Sequence, residues 1–157
     1  MAYFGEKPLQ DLVDKADQRG AVRAISLRPT RREAVVQVQQ WPLGDRDKDH
    51  ARAANRAVTL IAVEDLEAAS RTLGEPVEHA ATRRNVLVEG INLLTLIDRE
   101  FRVGEVVLRA TRTCDPCPNM EQTVGPGALA ALVGRGGLCC AIVESGTIRV
   151  GDEVSLR

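Results

Sequence analysis

Hydrophobic positions change their period along this chain. From Leu9 to Arg19, Leu12, Val13 and Ala16 recur at helical spacing among Asp, Lys and Gln, which predicts a short surface helix. After Gly20 the period shortens. "AVRAISL" (21–27) places Val22 and Ile25 in a short strand closed by Pro29, and "EAVVQVQQW" (33–41) alternates Val36 and Val38 with glutamines. "WPLGDRDKDHARAANR" (41–56) has no period and reads as a long loop, a kind of segment that often carries function. "AVTLI" (57–61) is another apolar run. It feeds "EDLEAASRTLG" (64–74), a helix whose Leu66, Ala69, Ser70 and Leu73 share a face and whose end is marked by Gly74. Short β-rich runs follow at 86–88, 100–103 and 105–110. "GPGALAALVGRGG" predicts one short helix, and "LCCAIVESGTIRVGDEVSLR" three strands with turns at Ser145-Gly146 and Gly151-Asp152.

One echo bears on architecture. "FRVGEVVLR" (101–109) and "IRVGDEVSLR" (148–157) share the frame Arg-Val-Gly-acid followed by alternating Val and Leu, each read as strand, glycine kink, strand. Short kinked strands with few helices predict a mainly β (α+β) fold, a closed or nearly closed barrel with a few short peripheral helices. A doubly wound α/β sheet would need a helix after every strand, and only two or three are visible. The expected organisation is a helical extension over 1–19 and one barrel domain over 20–157.

The 157 residues suffice to bury one core, and hydrophobic content of 44% with a net charge of -1 excludes a disordered chain and a general nucleic-acid surface. Aromatics at 3% make base stacking a poor binding mode. No long uncharged apolar run and no signal-peptide pattern occur, so a cytoplasmic location without membrane or nucleic-acid partners is expected, with thiols reduced and a disulfide scaffold not expected.

The chemistry concentrates in "TCDPCP" (113–118). A zinc site needs two more ligands; His50 and His79 lack the spacing, and Cys139 and Cys140, adjacent on a strand, point to opposite faces. A thioredoxin-like dithiol needs a helix opening at the motif, which Pro118 and the glycine-rich run disfavour. The third reading is a single reactive thiol at a strand end, held by Pro116 and Pro118 around Cys117, with Arg109 and Arg112 as nearby cations. Against it stands the plain reading of both cysteines as buried filler. On the residues alone these last two weigh equally.

Arg83, Arg84 and Asn85 stand directly before a strand and suit a phosphate or polyanionic cofactor, although a solvated strand start is the commoner explanation. "GDRDKDH" (44–50) resembles a calcium loop but lacks the fixed glycine and terminal glutamate, and reads as a solvated loop with one or two working residues. "GRGG" (134–137) either admits a ligand close to the backbone or simply turns the chain.

Taken in order, "RAVTLIAVEDLEAASRTLG", "RRNVLVEGINL", "FRVGEVVL", "CDPC", "GGL" and "GTIRVGDEV" resemble the MOSC (molybdenum cofactor sulfurase C-terminal) domain from about Gly20 to Leu156, with "GDRDKDH" similar to that family's polar loop. The resemblance implies a β-barrel and a role with the molybdenum cofactor (molybdopterin) or its sulfur. It implies that Cys117, at a strand end, carries sulfur as a persulfide or ligates molybdenum, with Cys114 the less regular partner. It implies that Arg83, Arg84 and Asn85 line the cofactor pocket, and that Asp45 and His50 belong to the polar loop. Pyridoxal phosphate enters only by family association, since the pyridoxal-phosphate domain of full sulfurases is expected to be absent here. A sulfurtransferase or electron-transfer protein is the implied partner, and any enzymatic activity would be reduction of N-hydroxylated compounds. The rival reading is a cofactor-free module that presents the 41–56 loop to a protein partner.

Overall fold

The computed structural model describes residues 19–28, 34–47 and 54–157. Its strands are β1 (Arg19–Leu27), β2 (Val36–Val38), β3 (Gln40–Leu43), β4 (Val58–Ala62), β5 (Val86–Glu89), β6 (Glu100–Val103), β7 (Val106–Thr113), β8 (Leu138–Glu144), β9 (Gly146–Arg149) and β10 (Glu153–Leu156). Its α-helices are α1 (Val63–Leu73), α2 (His79–Thr82), α3 (Pro118–Val124) and α4 (Ala128–Ala131).

Seven strands close a barrel in the order β10-β6-β7-β8-β4-β5-β1. Closure comes from β1 meeting β10 through Arg19↔Ser155, Gly20↔Val154 and Ala21↔Glu153, which removes the open edges a flat sheet would expose. β2 extends the sheet outside β1, and β3 pairs with β9 in a separate two-stranded sheet. β4 and β5 run parallel, and a parallel pair requires a crossover; α1 and α2 supply it.

The continuous apolar run of β4 is explained by its two faces. Leu60 joins Ile25, Phe101, Leu108, Leu138 and Ile148 inside the barrel, all fully buried, while Ile61 joins Leu66, Ala69, Met120 and Leu132 in a second core under the helices. Each such Leu, Ile, Phe or Met side chain contributes about 1.5–3 kcal/mol on leaving water.

Three expectations about local structure need correction. The 33–41 segment is two strands, broken by a bend at Gln39. A helix, α3, does follow the C-x-x-C motif: Pro118 occupies its first turn, where proline loses no hydrogen bond and its fixed φ already fits. The two Arg-Val-Gly-acid segments are reversals, not kinked strands. β6 and β7 pair antiparallel with Val103 opposite Val106, and Gly104 (φ 58°) and Gly151 (φ 96°) take the left-handed conformations these turns need. The echoed turns then dock on one another. Gly104 N–H donates to Glu153 O at 3.0 Å, and the Glu105 carboxylate accepts from Thr147 N–H and from Arg149, both at 2.9 Å.

The helix expected over Leu9–Arg19 lies outside the described residues except for Arg19, which opens β1. Among the described residues no helix is long and apolar enough to cross a membrane.

Candidate functional site

Strand register assembles the site. Thr113 pairs with Leu138, Leu138 with Leu60, Leu60 with Val86 and Val86 with Ile25, so one layer runs across β7, β8, β4, β5 and β1. The residues just past this layer therefore meet: Cys114 after β7, Gly136 and Gly137 before β8, Arg84 and Asn85 before β5, and Ser26 to Arg28 at the end of β1.

Cys114 and Cys139 form a disulfide across this seam, with Cα atoms 5.6 Å apart. This corrects the expectation that all thiols are free and that Cys114 merely assists Cys117. The physical reason lies in the barrel: Cys140 fills the interior, so its neighbour Cys139 must face outward on β8, where Cys114 arrives from β7. Cys114 N–H donates to Gly137 O at 2.7 Å, and a Cβ on Gly136 would overlap the Cys114 carbonyl oxygen, so the two segments are in backbone contact.

Cys117 is a free, half-buried thiol at the N-cap of α3, packed in part against the second core. Its carbonyl accepts from Met120 N–H at 2.9 Å, and Pro118 fixes the next residue. Arg84 reaches over the same segment. Its Nε donates to Gly136 O at 2.7 Å and its Nη2 to Asp115 O at 3.3 Å.

The electrostatics mark a cationic cluster. The Arg84 guanidinium is held below its ordinary pKa, first by burial and then by the repulsion of Arg28 and Arg56, while a negative charge on Cys117 or Asp115 acts in the opposite sense. Arg28 is held down likewise, by desolvation first, then by Arg83 and Arg56, and again Cys117 opposes. Arg28 is thus repelled by Arg83, Arg56 and Arg84, and Arg84 by Arg28 and Arg56, an arrangement that an anion would relieve.

Residues 47–155 match the MOSC domain. The chain belongs to the MOSC domain family. Solved structures share the fold at low identity. The YUAD protein from Bacillus subtilis is 15% identical, with a TM-score of 0.73 over 88% of this chain and 96% of its own. YiiM from Geobacillus stearothermophilus is 16% identical (TM-score 0.72; 88% and 75% covered), and YiiM from Escherichia coli is 15% identical (TM-score 0.66; 88% and 69% covered). No curated protein matches the sequence.

Within this MOSC barrel the residues singled out by sequence separate into groups. Cys117, Arg84 and Arg83 share one region, linked through Arg28. Arg83 adopts a left-handed conformation (φ 60°) as it caps α2, which turns the chain into β5. The Asn85 side chain is committed to structure: Oδ1 accepts from Thr59 N–H and Oγ1, both at 3.0 Å, and Nδ2 donates to Ser26 O at 3.2 Å, so it stitches β4 to β1. Asp45 accepts from Ser145 Oγ beyond the opposite end of β8, roughly 20 Å along the strand from Leu138. His50 lies outside the described residues. Among those residues no cluster of His, Cys, Asp and Glu is suited to a metal ion.

Sequence reasoning missed Arg28 and Arg56 and offered Arg109 and Arg112 as the cations near Cys117. The cations whose charges act with Cys117 are Arg28 and Arg84. Two cavities lie elsewhere. One of about 840 Å³ runs between α1, the 74–80 segment and β1, and one of about 710 Å³ between the start of α1, residues 90–94 and residues 133–135. Cys117 lines neither.

Proposed function

We propose that this MOSC protein binds the molybdenum cofactor, or carries sulfur for it, through Cys117. The observation that carries this reading is a free, half-buried thiol in a segment held by Arg84, whose guanidinium binds the Asp115 and Gly136 carbonyls beside it, with Arg28 and Arg56 close enough to repel Arg84. A thiolate is a soft donor, suited to molybdenum or to sulfane sulfur, and guanidinium groups suit a phosphate. The donor set therefore fits a phosphate-bearing cofactor with a sulfur-rich metal centre, which when bound would supply two-electron redox chemistry.

In this reading Cys117 is the attachment point. Arg28, Arg56 and Arg83 attract and hold the anionic end. Arg84, already engaged by two carbonyls, orients the 115–117 segment. Asn85 keeps β4, β5 and β1 in register beneath them. A sulfurtransferase would supply sulfur, or an electron-transfer protein the electrons for reducing an N-hydroxylated compound.

The test is metal and persulfide content in protein isolated from a host that makes the cofactor. Molybdenum by mass spectrometry, or a persulfide label on Cys117, is expected in the wild type and lost in Cys117→Ser with the barrel still folded. Neither signal in the wild type would sink the reading and favour a module that displays the 41–56 loop to a protein partner.

A further inference from the structure

We propose a further activity for this site: Cys117, Cys114 and Cys139 form an intramolecular thiol–disulfide relay in which Cys117 opens the Cys114–Cys139 bond. The inference takes from the preceding reading only that Cys117 is the reactive thiol; it requires no cofactor.

Three observations carry it. The disulfide is closed to bulk reagents, since Cys114 is 8% and Cys139 4% exposed. Cys117 is the free, partly exposed thiol, three residues beyond Cys114 in C-x-x-C spacing and at the N-cap of α3. Arg84 binds the carbonyls of both Asp115 and Gly136, one on each side of the disulfide, so the two segments stay together when the covalent link between them breaks. Cys140 takes no part: it is buried inside the barrel, and burial pushes its thiol well above the ordinary range.

The step balances without any added oxidant. The Cys117 thiolate attacks Cys114 Sγ, the Cys114–Cys117 bond forms, the Cys114–Cys139 bond breaks, and Cys139 leaves with the electron pair and takes up a proton equivalent to the one Cys117 gave up. The disulfide has moved from a buried seam to the half-exposed motif. A dithiol reductant can then attack it there, giving two thiols and the oxidised reductant. The seam beside the arginine cluster is thereby closed or opened by the redox state outside the protein, with Cys117 as the only port.

The experiment follows reduction of the native protein by dithiothreitol, with quenching by alkylation and disulfide mapping. Cleavage at the acid-labile Asp115–Pro116 bond separates Cys114 from Cys117 unless a disulfide joins them. The wild type at partial reduction is expected to accumulate a Cys114–Cys117 bond with Cys139 alkylated. Cys117→Ser, verified as folded by circular dichroism, is expected to lose its Cys114–Cys139 bond at least about tenfold more slowly, because access then requires local unfolding. Equal rates in the two proteins, or a trapped Cys117–Cys139 bond, would overturn the relay. Molybdenum and persulfide contents are independent of these readouts, so loss of the relay and loss of the cofactor reading remain distinguishable.

Discussion

Arg84 donates through Nε to the backbone carbonyl of Gly136 at 2.7 Å, tying the start of β5 to the start of β8. Its Nη2 takes the Asp115 carbonyl as well, so one guanidinium satisfies two loop carbonyls beside Cys117. Removing it strands both. Arg84→Ala is expected to cost about 1–3 kcal/mol, and Arg84→Lys nearly as much, because an ammonium restores the charge but not the fork. Urea midpoints check this. A lysine variant as stable as wild type would mean that charge, not geometry, is what the position supplies.

Gly136 is required by proximity. A Cβ there would overlap the Cys114 carbonyl oxygen and approach Pro116 N at 3.3 Å, and backbone cannot step aside as a side chain can. Gly136→Ala is expected to destabilise by about 2 kcal/mol or more and to expose Cys114 and Cys139 to alkylation after mild reduction. Gly134→Ala is the control: its φ of 73° disfavours alanine, but nothing lies within 4 Å, so it should cost only about 1 kcal/mol. Equal losses would remove the steric argument.

The barrel was legible because alternation and turn chemistry are local. The runs around Val22, Leu60, Val86, Phe101 and Leu108 announce themselves, and α1 ends at Gly74 as its sequence indicates. Of the candidate site, the sequence pointed only to Cys117 and the arginines before β5. Arg28 and Arg56 carry no motif; what joins them to Arg84 is sheet order, the antiparallel pairing of Ile25 with Val86 and the parallel pairing of Leu60 with Val86. The disulfide was hidden for the same reason. Its partners are 25 residues apart, and only the β7–β8 register brings them together.

His79 gives the fold a pH dependence. The residue is 6% exposed, with Nδ1 3.4 Å from Ser26 Oγ and Nε2 without a hydrogen-bond partner among the described residues. Burial, the largest cause, holds its pKa below the ordinary imidazole value. The unfolded chain therefore binds the proton more readily than the folded one. Stability from this residue is fully present above about pH 6.5 and is lost as the pH falls through the depressed folded value. Urea midpoints should fall between neutral and mildly acidic pH, and His79→Leu should flatten that slope. An unchanged slope in the variant would assign the acid sensitivity to other groups.

The arginine cluster should reveal itself through anions. Arg28 is repelled by Arg83 and Arg56 in the folded protein, a strain the unfolded chain does not share. A tetrahedral oxyanion that binds only the folded state stabilises it by about 2.7 kcal/mol at a hundredfold excess over Kd, which raises Tm by about 5–10 °C in a domain of this size. Inorganic phosphate is therefore expected to raise Tm above that in chloride at matched ionic strength. Arg28→Ala should reduce the phosphate-specific rise while leaving Tm in chloride equal or slightly higher, since one repelling charge is gone. Arg84→Ala should lower Tm in both salts. A phosphate effect undiminished in Arg28→Ala would place anion binding elsewhere on the molecule and leave the cluster without a ligand.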